Sequence, residues 1–133
     1  MIRWPRTIGV LYITSSLALG ACGKDKGPAA PRAGELTLSL TTPFPDDGAI
    51  LLAITGPEIG TVRATSSAIA THSRAVAGGV RVVVFGDIAS GSLLRIAVPD
   101  ASQSSKYSAS VVEVSDRANA VRAVLTAYKT KVE

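Results

Sequence analysis

The stretch Val80-Arg81-Val82-Val83-Val84-Phe85 is the strongest strand signal in the sequence. Its β-branched side chains have few χ1 rotamers and suit a pleated sheet better than a helix. Gly78-Gly79 stands directly before it and predicts a hairpin turn back to residues 74–76. The stretch therefore predicts a fold built from antiparallel strands.

Strand patterns continue on both sides of this hairpin. Residues 35–41 alternate apolar and polar side chains, which places Leu36, Leu38 and Leu40 on one face. Residues 49–55 contain the continuous apolar run Ile50-Leu51-Leu52-Ala53-Ile54 and predict a central strand buried on both faces. Weaker patterns predict further strands at residues 61–67, 68–76 (an edge strand), 93–98 and 107–115, with a polar loop at 99–106.

The C-terminal segment has two competing periodicities. Ala118, Val121, Leu125 and Tyr128 have helical spacing, whereas alternate residues from Val124 to Val132 have strand spacing. Because the threonines and valines near the end favour a strand, we predict a strand at residues 124–132 after a short turn at 116–120.

Seven to nine short strands, separated by turn clusters, indicate an all-β fold: a two-sheet antiparallel β-sandwich over residues 34–133. We expect Phe85 to be buried in it. The aliphatic core is predicted to comprise Leu38, Leu40, Leu52, Ile54, Val82, Val84, Leu94, Ile96, Val112 and Val114.

The N-terminal residues have the order of a secretory signal. Arg3 and Arg6 precede an apolar run at residues 8–19, and the small residues Gly20 and Ala21 follow it. A membrane-spanning helix needs about 20 apolar residues, so this run is too short to be one. Residues 1–21 are therefore predicted to be a signal peptide.

Leu19-Gly20-Ala21-Cys22 resembles the lipobox of bacterial lipoproteins. The resemblance implies cleavage before Cys22, diacylglycerol on its sulfur and an acylated (for example palmitoylated) amino terminus. Cys22 is the one cysteine of the chain, so it has no partner for an intramolecular disulfide. Two or more acyl chains anchor a protein stably to a membrane. Gly23 follows Cys22. In lipoprotein sorting of the enteric type, an aspartate at this position would favour retention in the inner membrane, so Gly23 implies delivery to the outer membrane of the cell envelope.

Residues 22–33 are rich in Lys, Gly, Pro and Ala and predict a flexible tether between the lipid and the domain. Without Arg3 and Arg6, twelve basic side chains balance ten acidic ones, and the basic residues are scattered singly. This near-balance argues against nucleic acid as a partner.

Three stretches resemble strands of cohesin-like and immunoglobulin-like sandwich modules: Gly34-Glu35-Leu36-Thr37-Leu38-Ser39-Leu40, Asp47-Gly48-Ala49-Ile50-Leu51 and Gly91-Ser92-Leu93-Leu94-Arg95-Ile96-Ala97-Val98. Cohesins bind dockerin partners through a sheet face. The resemblance implies a protein-binding sandwich, but the chain has no dockerin-contact motif from which to carry over binding residues.

The sequence offers no catalytic constellation. His72 is the one histidine, and its neighbour Ser73 would point to the opposite face of a strand. One histidine and a lipidated cysteine do not make a zinc site. We therefore expect no enzymatic activity, no cofactor and no metal, although five loop aspartates leave calcium open: Asp46, Asp47, Asp87, Asp100 and Asp116.

Phe44 stands between Pro43 and Pro45 and is a candidate contact residue, because a stiff loop can present an aromatic ring as an anchor. We expect a non-catalytic envelope lipoprotein whose sandwich is a protein-interaction or structural module. The alternative is a module for small ligands or carbohydrates, with Phe44, Tyr107 or Tyr128 lining a concave site.

Overall fold

The computed structural model describes residues 27–133. Eight strands and one short 3-10 helix follow each other along this part of the chain. They are β1 (Gly34–Thr41), β2 (Asp47–Thr55), β3 (Val62–Ala64), β4 (Ile69–Val76), β5 (Gly79–Gly86), β6 (Gly91–Val98), the 3-10 helix (Ala101–Lys106), β7 (Ser108–Asp116) and β8 (Lys129–Val132).

The strands form two four-stranded antiparallel sheets. The first sheet has the order β3-β6-β1-β8 and the second has the order β4-β5-β2-β7. The prediction of an all-β sandwich is confirmed. Within the described residues, both sheets and the core cluster lie between residues 34 and 133.

The core lies between the sheets and is aliphatic. Nine of the ten predicted core residues are buried; the tenth, Val112, is exposed. In β7, Glu113 pairs with Leu51 and Val111 pairs with Leu52, so Val112 is the extra residue of a β-bulge. The bulge interrupts the alternation, and Val111 and Val114 rather than Val112 contact the core.

The second sheet has only one covered face. Leu51 and Ala53 of β2 are half-buried, so the prediction that this strand is buried on both faces was wrong. Phe85 is 47% exposed, which contradicts its predicted burial. Both errors have one cause. Val82 and Val84 face the core, so Val83 and Phe85 face outward, together with the residues of β2 that pair with them. Within residues 27–133 no third layer covers this outer face.

Three predicted element boundaries also need correction. The strand predicted at residues 61–67 is limited to Val62–Ala64, and the strand predicted at 124–132 is limited to Lys129–Val132. The predicted polar loop at 99–106 contains the 3-10 helix, because the Asp100 carboxylate accepts a hydrogen bond from the Ser102 N–H and caps its first turn.

The chain direction assigns every loop to one of two ends. Residues 27–33, the loop at 56–61, the β4–β5 hairpin turn and the 3-10 helix lie at the end where β1 begins; we call this the tether end. The loops at residues 42–46, 65–68, 87–90 and 117–128 lie at the end where β1 finishes; we call this the distal end.

Candidate functional site

Asp47 is the buried acid at the centre of the distal end. It begins β2, and its side chain has no exposed surface. The Tyr128 hydroxyl donates to its carboxylate at 2.9 Å, the Arg122 Nε donates at 3.1 Å, and the Thr42 hydroxyl is a further donor. A buried carboxylate is tolerated when its oxygens accept hydrogen bonds and a cation is close, and Asp47 meets both conditions.

Arg122 supplies that cation from the connection between β7 and β8. Its Nη2 lies 2.6 Å from Asp46 Oδ1 and 3.1 Å from Asp47 Oδ1, and its Nη1 lies 3.8 Å from Asp116 Oδ2. Burial acts to lower the pKa of Arg122, but the hydrogen bonds and charges of Asp46 and Asp47 outweigh it and raise that pKa. The guanidinium therefore stays charged.

A tight turn after β7 positions Arg122. The Asp116 carboxylate accepts hydrogen bonds from the N–H groups of Ala118 and Ala120, both at 2.9 Å. Asn119 adopts a left-handed conformation with φ of 66°, which asparagine tolerates better than most residues. The Arg122 N–H then donates to the Val114 carbonyl at 2.8 Å, which fixes the connection along the edge of β7.

Tyr128 closes the network from the other side. Burial raises the pKa of its phenol, and the hydrogen bond to the Asp47 carboxylate raises it further. The phenol therefore remains a proton donor to Asp47 at neutral pH.

Phe44 covers this network and is 40% exposed. The Arg122 Cζ lies 4.2 Å from its ring centroid, and the Tyr128 ring lies 6.3 Å away, centroid to centroid, at 44°. Its N–H donates to the Thr42 hydroxyl at 3.1 Å. The ring is thus supported from beneath by a guanidinium, and part of its surface faces solvent.

Two grooves flank the distal end. One, of about 380 Å³, runs along the loop of Phe44 and is lined by Thr42, Pro43, Phe44, Pro45, Ile88, Ala89 and Ser90. The other, also about 380 Å³, lies on the side of the second sheet and is lined by Gly48, Ala49, Phe85, Gly86, Asp87, Ser115, Asp116, Arg117 and Asn119. Val121 and Val124 add largely exposed apolar side chains to the same end.

The five aspartates considered for calcium do not converge on one site. Asp46, Asp47 and Asp116 surround Arg122, and Asp87 pairs with Arg117 at 3.0 Å. Asp100 lies at the tether end. Within residues 27–133, no group of three or more His, Cys, Asp or Glu side chains is arranged to hold a metal ion. At the distal end, the Arg122 guanidinium occupies the space between the three carboxylates in which a metal cation would have to bind.

The remaining candidate residues are dispersed. Tyr107 is buried at the tether end, where its hydroxyl donates to the Glu58 carbonyl at 3.0 Å, and Tyr128 is buried beneath Phe44. The structure therefore does not bring Phe44, Tyr107 and Tyr128 together on one concave surface. His72 lies exposed on β4, the edge strand of the second sheet.

Cys22 and the signal peptide lie outside the described residues 27–133. In the part of the chain that follows, no helix is both long and apolar enough to cross a membrane. The Arg32 N–H contacts the Asp100 carboxylate at 3.3 Å, and the Arg32 carbonyl accepts from the Ala101 N–H at 2.8 Å. These contacts fix where the predicted tether meets the sandwich.

The sequence singles out Phe44 but not the network beneath it. In the sequence, Asp46 and Asp47 stand out only as loop aspartates that could bind calcium, and Arg122 is one of the singly scattered basic residues. Asp47 and Arg122 are 75 residues apart, so no local pattern connects them.

No protein-family model, no curated protein and no solved structure matches this chain.

Proposed function

We propose that this protein is a non-catalytic lipoprotein of the bacterial cell envelope that binds another protein through the distal end of its sandwich. In this proposal residues 1–21 are removed, Cys22 carries the lipid, and residues 22–33 connect the lipid to the sandwich. The lipid anchors the protein in a membrane, and we propose that this is the outer membrane.

The direction of the strands supports this arrangement. The chain enters β1 at the tether end, and the loops of the distal end lie at the far ends of the same strands. At about 3.3 Å per residue, eight residues of β1 separate the two ends by roughly 26 Å. A protein anchored through its N-terminal tether would therefore present the distal end away from the membrane.

The supported ring of Phe44 is the observation that carries the proposal. An exposed aromatic ring contributes most to binding when it is already held in its bound position, because less conformational entropy is then lost. Arg122 and Thr42 hold Phe44 in this way, and both contact the buried Asp47. The network therefore holds an exposed contact residue in a fixed position.

The charges of the two ends agree with this orientation. The distal loops and the strand ends beside them carry four aspartates against two arginines and Lys129, whereas the predicted tether carries Lys24, Lys26 and Arg32 against Asp25. An anionic membrane surface attracts basic residues near it and repels acidic ones. We expect the partner to offer an apolar pocket for Phe44 with basic side chains around it, because these would face Asp46 and Asp87.

Site-specific photocrosslinking in the native membrane tests the proposal. A photoreactive amino acid replaces Phe44 in one variant and Val76 in a control; Val76 is also exposed, 42% against 40%, but lies at the tether end. We expect a discrete protein adduct from position 44 whose yield falls at high salt. Equal adducts from both positions, or none from position 44, would contradict the proposal.

A second candidate function is binding of a small ligand or carbohydrate at the groove beside Phe44. Its volume of about 380 Å³ falls within the usual range for ligand pockets, and Phe44 could stack on a sugar ring. Nuclear magnetic resonance titration of the soluble domain with a panel of envelope glycans separates the two functions. Saturable shifts confined to Phe44, Ile88 and their neighbours would favour the ligand over the protein partner.

A further inference from the structure

The outer face of the second sheet has an apolar patch on β5 and β2, and nothing within residues 27–133 covers it. Val83 is 38% exposed, Phe85 is 47% exposed, and Ala49 and Leu51 beside them are half-buried. Val112 adds a further exposed side chain at the bulge of β7. An apolar sheet face in contact with water is a feature of surfaces that bind a partner.

The outer face of the first sheet is different. It carries Thr37 and Ser39 on β1, and an ion pair there joins Glu35 to Arg63. None of the large exposed apolar side chains found within residues 27–133 belongs to this sheet. The two outer faces of the sandwich therefore differ in polarity.

Charged residues divide the apolar face into a basic and an acidic side. Arg74 and Arg81 lie directly opposite each other on β4 and β5, an arrangement that repulsion disfavours. Glu113 lies on β7, at the other side of the sheet. Within residues 27–133 none of these three side chains forms an ion pair, whereas the charged residues of the distal end do.

We propose that a second copy of this chain binds the outer face of the second sheet, related by a two-fold axis parallel to the strands. The axis places β5 over β2 of the second copy and β4 over its β7. The strand registers then put Val83 over Leu51 of the second copy and Phe85 over its Ala49. The large ring of Phe85 thus meets a small side chain. They also put His72 over Glu113 of the second copy. Arg74, two residues further along β4, is within reach of the same Glu113.

The charges select this axis over the alternative. A two-fold axis perpendicular to the strands, crossing β4 and β5 near their centres at Ser73 and Val82, would place His72 over Arg74 of the second copy and Val83 over its Arg81. It would also set Glu113 over Ser110, with no basic partner. Such a dimer brings Arg74 and Arg81 of the two copies together, whereas the dimer with parallel strands brings Arg74 near Glu113 of the other copy at two symmetric positions.

The same axis brings both tether ends to one side of the dimer. Two copies could then be anchored in one membrane, each with its distal end facing away from it. This agrees with the proposed function but does not depend on it, because the dimer uses the sheet face and not the distal end.

The size of the face predicts a weak dimer in solution. Four strands about 4.8 Å apart and eight residues long cover about 500 Å². Stable complexes bury about 800 Å² on each partner. Anchoring both copies in one membrane would raise their effective concentration and compensate for the small area.

Sedimentation analysis of residues 23–133 tests the dimer. These residues include both sheets and lack cysteine. We expect a monomer–dimer equilibrium at concentrations up to about 1 mM, the range that a small interface requires. Val83→Lys should weaken the dimer at least tenfold. Its control, Thr37→Lys, places the same charge on the outer face of the first sheet and should leave the dimer unchanged.

Two outcomes would overturn the proposal: a parent chain that stays monomeric at every concentration, or equal effects of Val83→Lys and Thr37→Lys. Charge reversal gives a second line of evidence if Val83→Lys fails to fold. Glu113→Arg should weaken the dimer, and Glu113→Arg combined with Arg74→Glu should restore it. A double variant as weak as the single one would contradict the predicted contact.

A distance measurement tests the direction of the axis. A spin label on Ala77→Cys lies at the hairpin turn of the tether end and would be the one labelled site. Sheets packed about 10 Å apart place the two labels roughly 15 Å from each other with the parallel axis and roughly 30 Å with the perpendicular one. The longer distance would contradict the parallel dimer.

Discussion

The guanidinium of Arg122 packs against the inner face of the Phe44 ring, with 4.2 Å between its Cζ and the ring centroid. The same guanidinium donates to the buried carboxylate of Asp47. An exposed aromatic side chain is in this way joined through one arginine to a charge in the core. The stability of the domain and the position of the candidate contact residue consequently depend on the same few side chains.

Replacing Asp47 should destabilise the domain strongly. Asp47→Ala leaves the Tyr128 hydroxyl and the Arg122 Nε without their acceptor, while Arg122 keeps its ion pair with Asp46. Removing one partner of a buried, hydrogen-bonded charge pair costs about 3–5 kcal/mol. Asp87→Ala is the control, because Asp87 also pairs with an arginine but its side chain is largely exposed. Chemical denaturation should show a large loss for the first variant and less than about 1 kcal/mol for the second. Similar losses would mean that the buried network does not stabilise the fold.

Replacing Phe44 should reduce binding far more than stability. Phe44→Ala removes an exposed ring and one cation–π contact, which contributes about 0.5–1 kcal/mol at such a site. A contact anchor typically contributes at least about 2 kcal/mol to binding, equivalent to a loss of affinity of about thirtyfold. Titration calorimetry with the partner captured by crosslinking should show this loss for Phe44→Ala and none for Val76→Ala. Equal affinities for the two variants would remove Phe44 from the interface.

Neighbouring residues on β5 should respond differently to an introduced charge. Val84 is fully buried in the core, whereas Val83 faces outward. Val84→Asp should unfold the domain, because the charge would be placed in an aliphatic interior. Val83→Asp should remain folded. Circular dichroism melting of the two variants checks the inward and outward assignment of the strand, and a folded Val84→Asp would refute it.

Asp100 should contribute to stability only above acidic pH. A hydrogen bond from the Ser102 hydroxyl lowers the pKa of Asp100; burial opposes this shift, and hydrogen bonds from Arg32, the Ser102 N–H and Gln103 add to it. A carboxylate whose pKa is lower in the folded state stabilises the fold fully above its unfolded value of about 3.9. The contribution disappears as the pH falls through the lower folded value.

The melting temperature of Asp100→Asn should therefore lie below that of the parent at pH 7. The difference should shrink as the pH is lowered below about 4. A difference that is constant from pH 7 to pH 2 would show that the ionised carboxylate is not the stabilising form.

The sequence predicted what depends on local periodicity. The strands around Leu38, Leu52, Val84 and Ile96 have the expected inward faces, because alternation and burial follow from the pleat of a strand. The exposed position of Phe85 could have been predicted as well, since Val82 and Val84 face inward. The capping of the 3-10 helix by Asp100 also has a local signal, an aspartate two residues before a serine.

Other features depend on contacts between distant segments. The bulge at Val112 appears only when β7 is aligned with β2, and no feature of β7 alone marks it. Asp47 meets Arg122 because the connection between β7 and β8 crosses the end of the second sheet. Such a pairing is decided by tertiary packing, so the candidate site was predictable only in its most exposed residue, Phe44.

Lipid attachment is the central claim of this account, because it defines which end of the sandwich faces away from a membrane. Mass spectrometry of the protein isolated from its native membrane tests it most directly. We expect an N-terminal peptide that begins at Cys22 and carries diacylglycerol on sulfur and an acyl group on nitrogen. A chain that still begins at Met1, with an unmodified thiol at Cys22, would contradict the account.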